Sequence, residues 1–161
     1  MNKLYLAALV AAAASVTATT AKAQSDQASH DVTFEVQAIN SISVTGSPSL
    51  TIIAANAGSA PTSVTANATY SITTNEVGQK VTASLDSDMP SGVTLAVLLG
   101  APAGATATSR DLSTAAADVV TGISTLNESG LSMQYTLSAT SAAGVVASDS
   151  RTVTYTILAG S

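Results

Sequence analysis

The sequence predicts an all-β fold, a single antiparallel β-sandwich, on three observations. Apolar residues take every second position in several runs, as in Leu131, Met133, Tyr135, Leu137 and Ala139 and again in Val153, Tyr155 and Ile157, which puts them on one face of a strand. Turn-forming residues separate these runs about every ten residues. The apolar residues are also mostly small or β-branched: 46% of the chain is hydrophobic but only 3% is aromatic, a composition that fills a thin two-layer core.

The first segment reads as a secretory signal rather than as part of the fold. Met1-Asn2-Lys3 is a short basic start, Leu4–Val16 is apolar, and Ala21-Lys22-Ala23 fits the small-x-small cleavage rule, so residues 1–23 are expected to be removed and Gln24 to begin the mature chain. The apolar run is shorter than the roughly twenty residues a spanning helix needs. The expected location is therefore periplasmic, cell-surface or extracellular. Residues 24–31 (QSDQASHD) form a polar, flexible lead, and the sandwich domain is expected over 32–161.

Within that domain, Val32, Phe34, Val36 and Ala38 alternate, followed by Ile42 and Val44, as one long strand or two in register broken at Asn40-Ser41. Gly46–Ser49 is a turn, Leu50–Ile53 a short buried strand and Asn56–Ser63 a loop. Val64, Ala66, Ala68, Tyr70 and Ile72 alternate, Asn75–Gly78 turns the chain, and Val81, Ala83 and Leu85 alternate again. Val64–Leu85 therefore reads as a hairpin. Val93–Leu99 is apolar on both faces and expected to be a central strand. Gly100–Ser109 reads as a loop too rich in Gly and Ala for a regular element. Ser113–Ile123 mixes a Ser-capped helical start with Val119-Val120-Thr121, and a short strand near Val119–Ile123 is preferred. Asn127–Gly130 turns into the last pair of strands. The total, about seven to nine strands, is that of an immunoglobulin-like sandwich.

Charge and composition remove several functions. Without residues 1–23 the chain keeps Lys80, Arg110 and Arg151 against ten acidic residues, a net charge of −7. No basic stripe remains for nucleic acid or an anionic membrane. Cysteine is absent, so an exported domain of about 138 residues must be held by its core alone. The only histidine, His30, lies in the polar lead, where no Ser or Thr nucleophile of the domain has a base beside it. One His and no Cys leave no zinc set, and no cofactor is implied. Asp86 and Asp88, with Ser87 and Ser91, are candidate calcium ligands that lack the third carboxylate and distant Glu of a calcium loop. Ten acids contain possible carboxylate pairs, but a glycosidase cleft also carries aromatic sugar platforms, which are scarce here. The expectation is a protein that is not an enzyme. Asn67-Ala68-Thr69 and Asn127-Glu128-Ser129 match the glycosylation acceptor pattern and read as chance matches in a Ser- and Thr-rich chain.

Four stretches carry a resemblance: Asp31–Ala38 (DVTFEVQA), Ala68–Asn75 leading to Lys80–Leu85, Leu112–Ala116, and Val153–Leu158 ending in Gly160-Ser161. In them the chain resembles the cysteine-free major pilins of class 5 (colonisation-factor type) fimbriae, assembled by the alternate chaperone and usher pathway. The likeness spans most of residues 31–161 and is one of strands and turns rather than identities. It implies a subunit lacking one strand, completed by the N-terminal strand of the next copy in a homopolymer, with a periplasmic chaperone and an usher as partners. Val32, Phe34, Val36 and Ala38 would be the assembly strand. A donor segment normally has a pliable link, and only Asn40-Ser41 stands in that place here. The residues themselves leave open that Val32–Ala38 is the first strand of its own sandwich. Two functions follow: a structural or adhesive, pilin-like surface subunit, or a monomeric secreted module binding carbohydrate, or calcium at Asp86–Ser91, without catalysis.

Overall fold

The computed structural model describes residues 26–160; the expected signal peptide, its cleavage site and the mature terminus at Gln24 lie outside them. The chain divides between Glu35 and Val36 into two units. In the first, residues 26–35 carry no helix or strand and are exposed throughout. The second is all-β and antiparallel, as expected: β1 Asn40–Thr45, β2 Val64–Leu85, β3 Val93–Leu99, β4 Thr106–Ala107, β5 Arg110–Asp111, β6 Ala117–Ala139 and β7 Val153–Ala159, with one 3₁₀ turn at Ser141–Ala143. The seven strands form one continuous sheet in the order β1-β2-β6-β3-β5, with β4 paired to β6 and β7 to β2.

The two long strands correct the hairpin reading. Val64–Leu85 does not reverse at Asn75–Gly78; it is one strand of 22 residues, paired along its length with the 23-residue β6, and Asn127–Gly130 is likewise internal to β6. What looked like turns are bulges. From Tyr70↔Leu131 to Ile72↔Glu128, β2 advances two residues and β6 three, and the same slip recurs between Gln79↔Ile123 and Val81↔Val120. The additional residues fall at Gly130 and Gly122, both at positive φ (68° and 74°), the conformation such a bulge requires and one that glycine adopts without strain. Across Asn75–Gly78 the inward positions change from Ala68, Tyr70, Ile72 and Thr74 to Gln79, Val81, Ala83 and Leu85. An even set becomes an odd set across a bulge in which β2 advances five residues, from Thr74 to Gln79, while β6 advances three, from Leu126 to Ile123.

The bulges bend the long pair back on itself. Tyr135 stands opposite Ala66 and Tyr155 opposite Ala83, positions seventeen residues apart in β2 and on the order of 55 Å along a straight strand. Their hydroxyls nevertheless meet at 2.8 Å. The two halves thus enclose one core, with Tyr70, Ile72, Val81, Val97, Leu99, Val119, Val120, Ile123 and Met133 almost fully buried. Val119 and Val120 are both buried although adjacent, because a further bulge lies between Val81↔Val120 and Thr82↔Asp118.

Other elements also depart from expectation. Leu50–Ile53 forms no strand, and Ile53 is 88% exposed. Val93–Leu99 is a strand but not central, since beyond β6 it meets only the two-residue β5; the centre belongs to β2 and β6. Gly100–Ser109 contains the short β4, and Ser113–Ile123 enters β6 without a helical turn. Residues 32–38 carry no strand. The reason lies along β2. β1 pairs with it from Thr69 to Thr74, and the same flank from Gln79 to Leu85 is held by β7, so an upstream continuation of β1 has no free edge to join.

Tyr70 ties the core to the loop after β3, its hydroxyl donating to the Gly100 carbonyl oxygen at 2.6 Å. Burial, and secondarily the Glu128 carboxylate, push its pKa up to about 12, and burial also raises those of Tyr135 and Tyr155. A tyrosine whose folded-state pKa is raised keeps its proton where the unfolded chain releases one, so its contribution is complete below pH ~10 and is lost as pH rises through the folded value. Stability to urea should therefore fall from pH ~10 to about 12, and Tyr70→Phe should make that fall shallower while lowering neutral-pH stability by about 1 kcal/mol for the lost hydrogen bond. Gly122→Ala, with open space for a methyl group but φ of 74°, should lower stability by about 1 kcal/mol in the same titration.

Candidate functional site

Two features of the described residues stand apart from the packed core: an apolar groove and an unpaired apolar segment. The groove, of about 810 Å³, has a floor made by Val93 and Leu95 of β3 and Tyr135, Leu137 and Ala139 of β6, with Met89 at one side. These are inward-facing positions at the end of the long pair remote from the bend. Two irregular segments form the walls, residues 48–55 and 143–151, and Leu50 and Ile52 on the first are only half-buried. The groove volume lies within the range of ligand sites, and its floor is apolar as such sites are.

Hydrogen bonds fix both walls. The first is closed on itself by Thr62 N–H to the Ala54 carbonyl at 2.8 Å and by the Ala55–Pro61 bridge. The second is held at its base by Arg151, which donates through Nε to the Asp88 carbonyl at 3.1 Å and through Nη1 to Asp149 Oδ2 at 2.6 Å. The Arg151 hydrogen bond, aided by the Ser150 N–H, holds the Asp149 carboxyl below its ordinary range.

The carboxylates considered for calcium take part in the same stitching. Asp86 Oδ1 accepts from Thr152 N–H at 3.1 Å, and Asp88 Oδ1 accepts from the Thr114 N–H and hydroxyl at 3.1 and 3.0 Å. This is the turn chemistry of short acidic side chains. Among the described residues no three His, Asp or Glu side chains converge as metal ligands. His30 is exposed in the segment without secondary structure.

The candidate assembly residues lie outside the sheet. Val32 is 70%, Phe34 89% and Val36 79% exposed, and Ala38 is exposed too. Singly exposed apolar residues are common; three at alternate positions in an unpaired segment are not. The root of this segment is pinned. Asn75 Oδ1 accepts from Ile39 N–H at 2.7 Å, Asn75 Nδ2 donates to the Gln37 carbonyl at 2.8 Å, and Asn75 N–H donates to the Ile39 carbonyl at 3.2 Å. Asn40 closes the cluster by accepting from the Thr74 hydroxyl at 2.7 Å and donating to Glu76 Oε2. The Asn75 amide thus imitates a further peptide of β2 and ends the pairing with β1. This clamp escaped the sequence reading because Asn75-Glu76-Val77-Gly78 has the composition of a turn.

The pinned root lies far from the groove. Tyr135, the floor residue deepest along β6, stands opposite Ala66, nine residues before Asn75 and roughly 30 Å away along the strand. The five residues 32–36 extend at most about 17 Å.

Asn75→Ala should free the root without disturbing the core. Amide exchange at Ile39 is expected to quicken at least about tenfold, with β2 and β6 amides unchanged and global stability lower by about 1 kcal/mol or less, as read by hydrogen exchange and urea unfolding.

Compared with known proteins, the chain matches no family model and no curated sequence. What the groove and the N-terminal segment do is read from their geometry.

Proposed function

We propose that this chain is an exported structural subunit of a surface assembly, pilin-like, in which the free part of the 32–38 segment, residues 32–36, of one copy enters the groove of the next. The observation that carries the reading is the pairing of two unsatisfied parts. An alternating apolar segment has no strand partner, and a groove with an apolar floor lies between two irregular walls. An extended strand placing Val32, Phe34 and Val36 toward Leu95, Leu137 and Met89 of a neighbour buries apolar area on both sides, and main-chain hydrogen bonds are available along an open sheet edge. β7 pairs only with β2, so its outer flank is such an edge.

Head-to-tail donation does not close on itself and generates an open filament. A molecule of this kind works as material rather than as a catalyst, and export through residues 1–23 with help from a periplasmic chaperone and an usher fits the resemblance to class 5 pilins.

Size-exclusion with light scattering on the exported chain tests this. The parent should form polymers, and a chain lacking residues 24–38 should be monomeric. Phe34→Asp should weaken association by about tenfold to a hundredfold, the value of one lost aromatic anchor. A parent chain that stays monomeric at high concentration and binds a sugar or calcium would establish the monomeric binding module instead.

A further inference from the structure

The clamp at Asn75 leaves the N-terminal segment almost no slack, and this has a consequence for how two copies meet. The Gln37 carbonyl and the Ile39 amide are both fixed to the Asn75 side chain, so Val36 is the first residue free to lie in a neighbour's groove. One residue spans at most about 3.8 Å. The neighbour's groove must therefore come within a residue or two of the donor's Asn75 end, and the bodies of the two copies are drawn together.

Both ends that would meet carry apolar side chains without cover. At the Asn75 end, Val77 is 75% exposed on the bulge and Ile39 47% exposed, beside a shallow hollow of about 370 Å³ next to Leu126. At the groove end, Ile53 is 88% exposed on one wall and Val145 fully exposed on the other. Resting on the strand-donation reading, we infer that successive copies make a second, direct contact, with Val77 and Ile39 of the donor packed against the groove rim at Ile53 and Val145 of the acceptor. Its occupant is a second copy of this chain. The contact is heterologous, as the donated strand is, so the two reinforce one direction of growth. It also makes the link between copies stiff, since the donor is held on both sides of a junction with no free residues.

The chain has no cysteine, which gives a direct test. Two full-length double variants, Val77→Cys with Ile53→Cys and Val77→Cys with Val145→Cys, are exported, oxidised mildly and run without reductant, beside Val77→Asp and Phe34→Asp. The expected result is a ladder of disulfide-linked multimers in at least one double variant, lost when Phe34→Asp is added, and about a tenfold higher concentration for polymer formation in Val77→Asp, the effect of losing one buried valine. If Phe34→Asp abolishes polymers while neither double variant gives a ladder and Val77→Asp assembles like the parent, the second contact is wrong and strand donation stands. If Phe34→Asp polymerises like the parent, strand donation fails, and this contact fails with it.

Discussion

One edge of β2 is contested by two strands, and the rest of the molecule follows from how it is shared. β1 holds the edge from Thr69 to Thr74, β7 holds it from Gln79 to Leu85, and the bulge between them separates the two. The chain end is secured there as well, because the Gly160 N–H donates to the Gly78 carbonyl at 2.7 Å. With β7 in place, a strand extending upstream from Asn40 has no backbone partners, and exposed backbone and apolar side chains together are the result. A sheet normally protects its edges with charge, bulges or closure. Here the edge is closed by β7, and residues 32–38 before β1 carry no strand.

The bend makes this division possible. A straight pair of 22 and 23 residues would be a long ribbon with one face in water. Glycine bulges at Gly122 and Gly130 and the slip across Asn75–Gly78 fold the ribbon over, so that each long strand contributes to both layers. The small side chains then become intelligible. Two layers that share their central strands come close near the bend, where Val81, Val119, Val120 and Ile123 are completely buried. Away from the bend the tyrosines, the largest side chains of the core, hold it together: Tyr135 meets Tyr155 across the two halves, and Tyr70 reaches Gly100 just after β3. The groove lies beyond this pair, with Tyr135 at its inner limit.

Much of this is legible in the sequence, and the part that is not has a definite cause. Period-two runs at Leu131–Ala139 and Val153–Ile157 identify the strands and their inner faces correctly, since burial of one face dictates alternation whatever the strand pairs with. The same runs do not say whether Asn75–Gly78 reverses the chain or only kinks it. Turns and bulges draw on the same residues, Asn and Gly, because both need backbone that ordinary side chains avoid. The one available clue is parity: inward residues change from even at Ile72 to odd at Val81, a change that a bulge in a continuous strand explains. β3 misled for another reason. Its apolar residues on both faces suggested a central place, but Leu98 is 43% exposed and the strand lies near the margin of the sheet. Of the candidate site, Val32, Phe34 and Val36 were visible as a pattern. The groove was not, because its walls at 48–55 and 143–151 are irregular and its floor is assembled from β3 and β6, some forty residues apart in sequence.

Electrostatics bear on what can drive association between copies. All three cations of the domain are engaged within it: Lys80 pairs with Asp118 at 3.1 Å, Arg110 donates to the Asp118 carbonyl at 3.0 Å, and Arg151 binds Asp149 and the Asp88 carbonyl. Residues 26–160, with three cations against ten acidic residues and so a net charge of −7, therefore present mainly carboxylates, and two copies repel at long range. That repulsion is screened within about 10 Å at moderate salt, and it does not extend into an apolar groove. On the strand-donation proposal, attraction between copies is short-ranged and apolar, carried by Phe34, Val36 and the groove floor. On the same proposal, a low-charge, Ser- and Thr-rich coat with Lys80 and Arg151 largely buried keeps separate copies apart until apolar parts meet in register, and it gives a directional contact preference over indiscriminate clumping of exposed apolar surface.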